Sequence, residues 1–151
     1  MNKLFSLGYA ERWGDAGMLV LRVALGAVFF MHGWQKIFEF TVPGVAEGLF
    51  NQLLHWPMPM LLAYLLSYGE LIAGAALILG LLTHWAAKIG VIISLVAFLG
   101  VHIKNGFFLT TGGYEYILLI LAASISVMIM GGGKYSLDHW LKNRLSPAPM
   151  E

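Results

Sequence analysis

Four long apolar stretches, at about residues 16–35, 60–82, 86–101 and 114–130, constrain this chain more than anything else in it. At 1.5 Å of rise per residue the first is long enough to cross roughly 30 Å of hydrocarbon as a helix. The chain is 59% hydrophobic and only 11% charged, with a mean hydropathy of +0.77. A soluble domain of this length carries about twice that charge. The sequence therefore predicts an all-α protein, a four-transmembrane-helix bundle whose solvent is mostly lipid. In lipid, helices gain by close approach of small residues. Gly26, Gly69, Ala73, Gly74, Ala76, Gly80, Gly90, Ser94 and Ala97 offer such surfaces.

The segments between the stretches organise the rest. Residues 1–15 read as an interfacial lead carrying Lys3, Arg12 and Trp13, with no apolar region leading to a cleavage site. Residues 16–133 form the membrane domain, with loops at about 36–58 and 102–113. Residues 134–151 form a basic tail that fades after Ser146-Pro147. Lys3, Arg12, Lys88, Lys134, Lys142 and Arg144 fall on one side, and Lys36 and Lys104 on the other. Cations concentrate on the cytoplasmic face, so both termini are expected to be cytoplasmic and both loops to face outward.

Composition also excludes. The net charge is +1 and no run of lysine or arginine exists, so nucleic acid is not a partner. There are no cysteines, which removes disulfide, thiolate–metal and thiol-redox chemistry from this polypeptide. Any electrons would be carried by a cofactor or a partner subunit.

Ionisable residues at membrane depth cost about 2.5–3.5 kcal/mol each on insertion scales, so each needs a partner or a task. Glu70, at the centre of the second stretch, and Arg22, in the first, are expected to form a buried ion pair. The stretch VHIKNGFFLTTGGYEY, residues 101–116, interrupts two apolar runs with polar, aromatic and glycine residues. It is longer than neighbouring helices need for a connection. His32, Lys36, His102 and Glu115 fall at similar depth. One reading makes this mouth an ordinary connection with interfacial histidines and an aromatic anchor. The other makes it a ligand site, in which His102 and Glu115 hydrogen-bond a quinone's carbonyl oxygens while Phe107, Phe108, Tyr114 and Tyr116 wall it. Asn105 sits in the turn that shapes it. Haem ligation by the two histidines, or a His/Glu metal site, has only their presence in its favour; haem is not expected and no metal is assigned.

Four segments carry a resemblance: LRVALGAVFFMHGWQKIF, GELIAGAALILGLLTHWAA, VHIKNGFFLTTGGYEYILL and GGGKYSLD. Together, in this order, they resemble the DoxX family of small bacterial membrane proteins. His84 is a departure, where relatives more often carry arginine. The resemblance implies a four-helix membrane bundle in the bacterial cytoplasmic (inner) membrane. It also implies kinship with membrane subunits of sulfur or thiol redox systems, including thiosulfate:quinone oxidoreductase, and of oxidative-stress complexes. It puts Arg22, His32, Lys36, Glu70, His102, Asn105, Tyr114 and Glu115 at motif positions, without assigning them catalysis. The expected function is a quinone-interacting subunit, alone or as a homo-oligomer, beside a redox partner in the lipid bilayer. The alternative is a non-enzymatic membrane module that binds lipid or a partner protein. A transporter ranks below both, because four helices with one buried ion pair make a poor alternating-access machine.

Overall fold

The computed structural model describes residues 8–145, with side chains from residue 13 onward. Among the described residues the chain is helix and turn, with no strand. Helix α1 runs Gly8–Phe38, so the second half of the expected interfacial lead is already helix; residues 1–7 lie outside the described residues. Helix α2, Val42–Val45, continues as a π-helical stretch, Ala46–Leu53. Helix α3 is Pro59–Leu79 and α4 is Thr83–Ala97, the latter widening into a π turn at Phe98–His102. Helix α5 is Glu115–Met130 and α6 is Leu137–Leu145, the last part of the tail that is described. The expected fading after Ser146 lies outside the described residues.

Three helical stretches, Trp13–Phe38, Pro59–Leu79 and Thr83–Asn105, are long and apolar enough to cross a membrane. Helix α5 is equally apolar in character but shorter, at 16 residues.

Helices α1 and α3 pack most closely, and glycine sets the distance. A Cβ on Gly26 would sit 2.8 Å from the Gly74 carbonyl oxygen and 2.8 Å from the Ile78 nitrogen. One on Gly33 would collide with the backbone of Leu71, and one on Gly74 with the backbone nitrogen of Phe30. The two helices therefore run antiparallel with backbones nearly touching, as small residues allow in lipid. Met18, Leu25, Phe29, Ala73, Leu77, Ala86, Ala87 and Val127 close the main core. A second cluster, Val42, Val45, Ala46 and Phe50 against Ala63, holds α2 and its π extension to the first half of α3. The first loop is thus a packed wall rather than a free connection.

That register corrects the expected Arg22–Glu70 pair. With Gly26 opposite Gly74 and Ile78, Arg22 meets the last turn of α3, two turns or about 11 Å along the helix from Glu70. Its guanidinium donates to the carbonyl oxygens of Leu77, Ile78 and Tyr135, the last two at 2.8 and 3.0 Å. Leu77 and Ile78 lie in the last turn, where carbonyls lack intrahelical partners and a cation is favoured. Matching helix midpoints would pair Arg22 with Glu70, but the first half of α3 packs on residues 42–50 instead of on α1, so the middle of α3 is level with the end of α1.

Around Arg22 the chain ties a polar knot. Gly80 ends α3 at φ +69°, and a Cβ there would press on the Arg22 guanidinium at 2.7 Å. Asp138 accepts from the backbone nitrogens of Leu82 at 2.7 Å and Thr83 at 2.8 Å. A carboxylate is thereby placed on the donors at the start of α4. Asp15 accepts from the Lys134 backbone nitrogen at 3.0 Å and pairs with its ammonium at 3.1 Å. The GGGKYSLD segment thus fastens the tail to the start of α4 and to the second turn of α1.

Candidate ligand-binding site

At the opposite end of the α1–α3 seam, the same register brings Lys36 to Glu70. Lys36 sits in the last turn of α1 and Glu70 at the middle of α3. The ammonium donates to the Glu70 carboxylate at 2.6 Å, with the side chains 17% and 7% exposed. This is a short charge-assisted hydrogen bond in an apolar setting. His102 joins from the π turn that ends α4. Its Nδ1 lies 2.8 Å from the Gly112 carbonyl oxygen, which can only accept, so Nδ1 carries the proton. In the neutral ring Nε2 is left as an acceptor.

These three residues line two cavities. The larger, about 480 Å³, is otherwise bounded mainly by apolar side chains. Leu49, Phe50, Leu54 and Trp56 come from the first loop, Leu62, Leu65 and Leu66 from α3, and Ile89, Ile92 and Val96 from α4. Small-molecule sites have this make-up: an apolar cleft of roughly 300–1,000 Å³ with a few convergent polar groups. Both π-helical segments contribute to its wall, and such segments are often found at functional sites. His55 and Met58 take positive φ, +53° and +55°, on either side of Trp56. Strained backbone of this kind persists where surroundings hold it in place.

The smaller cavity, about 230 Å³, lies between the helices on the side of α5. Lys36, Glu70 and His102 face it too, with His32, Ser94 and Tyr116.

Five of the eleven expected residues, His32, Lys36, Glu70, His102 and Tyr116, therefore meet at these cavities. The other loop residues build the loop instead. Glu115 accepts from the Leu109 backbone nitrogen at 2.9 Å. Asn105 donates to the Gly112 carbonyl at 3.2 Å and accepts the Thr111 hydroxyl on its own carbonyl at 3.0 Å. Tyr114 packs edge-on against Phe98 and Phe107, at 5.2 and 5.5 Å between ring centres. Phe107 and Phe108 are 48% and 66% exposed and line neither cavity, which corrects their expected place as its walls. Arg22 belongs to the knot at the other end. Sequence reasoning missed the wall formed by Leu49, Phe50, Leu54 and Trp56, although the amphipathic spacing of residues 45–54 was its signal. Ser94 had no signal beyond its small size. Among the described residues, no three of histidine, aspartate and glutamate gather as a metal site.

The four resembling segments thus sort into two clusters, one around Arg22 and Asp138, the other around Lys36, Glu70 and His102. A protein of Bacillus subtilis (strain 168) named "Putative oxidoreductase CatD" is 30% identical over 138 residues, covering 91% of this chain and 90% of that one. No solved structure matches the chain. The DoxX family model matches residues 17–103, which include most of α1 and all of α3 and α4 with Lys36, Glu70 and His102, and the chain belongs to the DoxX family.

Proposed function

We propose that this protein binds the head group of a lipid-borne quinone in the larger cavity and presents it to a redox partner. The observation that carries the reading is the cavity itself. Its walls are apolar, and its ionisable groups, Lys36, Glu70 and His102, gather together. A quinone needs an apolar slot for its ring and tail. Its oxygens accept hydrogen bonds as carbonyls and donate them as hydroxyls once reduced, so Lys36 can donate to the quinone and neutral His102 can accept a hydroxyl of the reduced form through Nε2. The name of the Bacillus relative, "Putative oxidoreductase CatD", agrees with a redox setting. The lack of cysteine leaves electron transfer to the quinone and the partner.

The test is equilibrium binding of a menaquinone or ubiquinone analogue to the purified protein in lipid nanodiscs. His102→Ala is expected to weaken binding of the analogue's reduced form about 10- to 100-fold, the equivalent of losing one hydrogen bond to a strongly polar group, and Glu70→Gln to weaken it by releasing the Lys36 donor from its place. Unchanged affinity in both would remove the quinone site. A second reading, a membrane module holding a lipid tail in the same cavity, draws on the apolar walls alone. It expects phospholipid to compete for the cavity and His102→Ala to leave binding intact.

The same reading has α5 crossing the membrane as a fourth span, with both termini cytoplasmic. The cation distribution supports this. Because the chain has no cysteine, single cysteines report cleanly. An impermeant thiol reagent added to intact cells should label Lys104→Cys and spare Lys142→Cys. Labelling in the reverse order would invert the topology.

A further inference from the structure

We infer that the smaller cavity is a water-filled chamber, so that Lys36, Glu70 and His102 form a partition with an apolar compartment on one side and an aqueous one on the other. The two cavities differ in chemistry although they share these three residues. Both have apolar walls, Phe29, Ile93 and Ile117 among those of the smaller, but only the smaller adds further polar residues, His32 and Tyr116. Lys36, Glu70 and His102 are charged or strongly polar groups held within an apolar bundle, and ordered water is the usual partner for the hydrogen-bonding capacity such groups have left over. A cavity of about 230 Å³ with this many polar groups has both the room and the partners that internal water requires. Leu109 and Gly113 bring the loop of residues 103–114 onto the chamber, so its mouth lies at the loop end of the bundle.

Hydration places a proton donor and acceptor, water, beside Glu70 and His102 at a depth where lipid would offer none. A proton taken by His102 Nε2 from a hydroxyl in the larger cavity can leave to water in the smaller one. The ring returns to its neutral form while Nδ1 stays bonded to Gly112. That use rests on the quinone reading; the presence of water does not.

Two positions on α5, two residues apart, test the chamber. Ile117 lines it, whereas Leu119 is 68% exposed on the outer face of the same helix. In lipid vesicles, a charged methanethiosulfonate reagent should label Ile117→Cys at least about tenfold faster than Leu119→Cys, because only a thiol in contact with water forms the reactive thiolate. Equal rates, or faster labelling of Leu119→Cys, would overturn the chamber. A second measurement needs no substitution. Hydroxyl-radical footprinting by X-ray irradiation should oxidise Tyr116 faster than Tyr68, although the two are comparably exposed, at 39% and 43%. Tyr116 oxidised no faster than Tyr68 would likewise show a dry cavity. Both readouts are taken without quinone. A dry chamber therefore leaves the quinone site standing, and failed quinone binding leaves the chamber standing.

Discussion

Lys36→Met is expected to destabilise the protein by about 3–5 kcal/mol, because Glu70 keeps its burial and loses its counter-charge. Glu70 is 5% exposed and its carboxylate has Lys36 as its one ion-pair partner among the described residues. The double variant Lys36→Met/Glu70→Leu removes both charges and fills their space with apolar atoms. It should regain most of the loss, since well-packed apolar residues often replace a buried pair without penalty. The same double variant should lose quinone affinity. Recovery of stability without recovery of binding would separate a functional pair from a device that merely fixes helix register. The measurement is reversible unfolding in mixed detergent micelles. A Lys36→Met protein as stable as the parent would show that Glu70 tolerates its burial alone, and would remove the electrostatic part of the site.

Arg22→Met should cost about 2–4 kcal/mol, by a different route. Arg22 is 1% exposed and faces carbonyl oxygens instead of a carboxylate. Leu77 O keeps a second donor, the Gly80 nitrogen at 3.2 Å, so the loss falls mainly on Ile78 O and Tyr135 O. Arg22→Lys should recover little, because a single ammonium cannot reproduce a planar fork spread over three carbonyls. Quinone affinity should stay within about twofold in both variants once they are folded, since the knot lies two turns of α3 away from Glu70. Loss of affinity equal to that of His102→Ala would tie Arg22 to the site after all. The unfolding assay used for Lys36→Met gives the stability, and the nanodisc assay gives the affinity.

The two variants mark where sequence reading succeeds and where it fails. Hydropathy located the apolar helices to within a few residues except at the start of α1, which begins about eight residues earlier than expected, because lipid demands continuous apolar runs and leaves few alternatives. It also picked out Arg22, Glu70, His32, Lys36 and His102 as residues needing a purpose, since charge in such runs is costly whatever the packing. Pairing was beyond it. Which charge meets which depends on how far α1 slides along α3, and that is set by Gly26, Gly33 and Gly74 allowing one close register. The slide depends in turn on residues 42–50 occupying the first half of α3, a contact between distant parts of the chain that no local pattern states. The loop of residues 101–116 shows the opposite error. Its aromatic and polar composition suggested a binding surface. Glu115, Asn105 and Thr111 instead spend their hydrogen bonds on the loop's own backbone, and what the loop contributes is the position of His102 and, with Leu109, Gly113 and Tyr116, part of the smaller cavity's wall.

The central claim is that a quinone ring sits in the larger cavity between the first loop, α3 and α4. A photoreactive quinone, cross-linked in native membranes and mapped by peptide mass spectrometry, reads this out directly. Adducts are expected on the peptides carrying Leu49–Trp56, Leu62–Leu66 or Ile89–Val96, competed by unlabelled quinone and lost in His102→Ala. Adducts confined to the outer face of α5 at Leu119 and Ile129, unaffected by competitor or by His102→Ala, would contradict it.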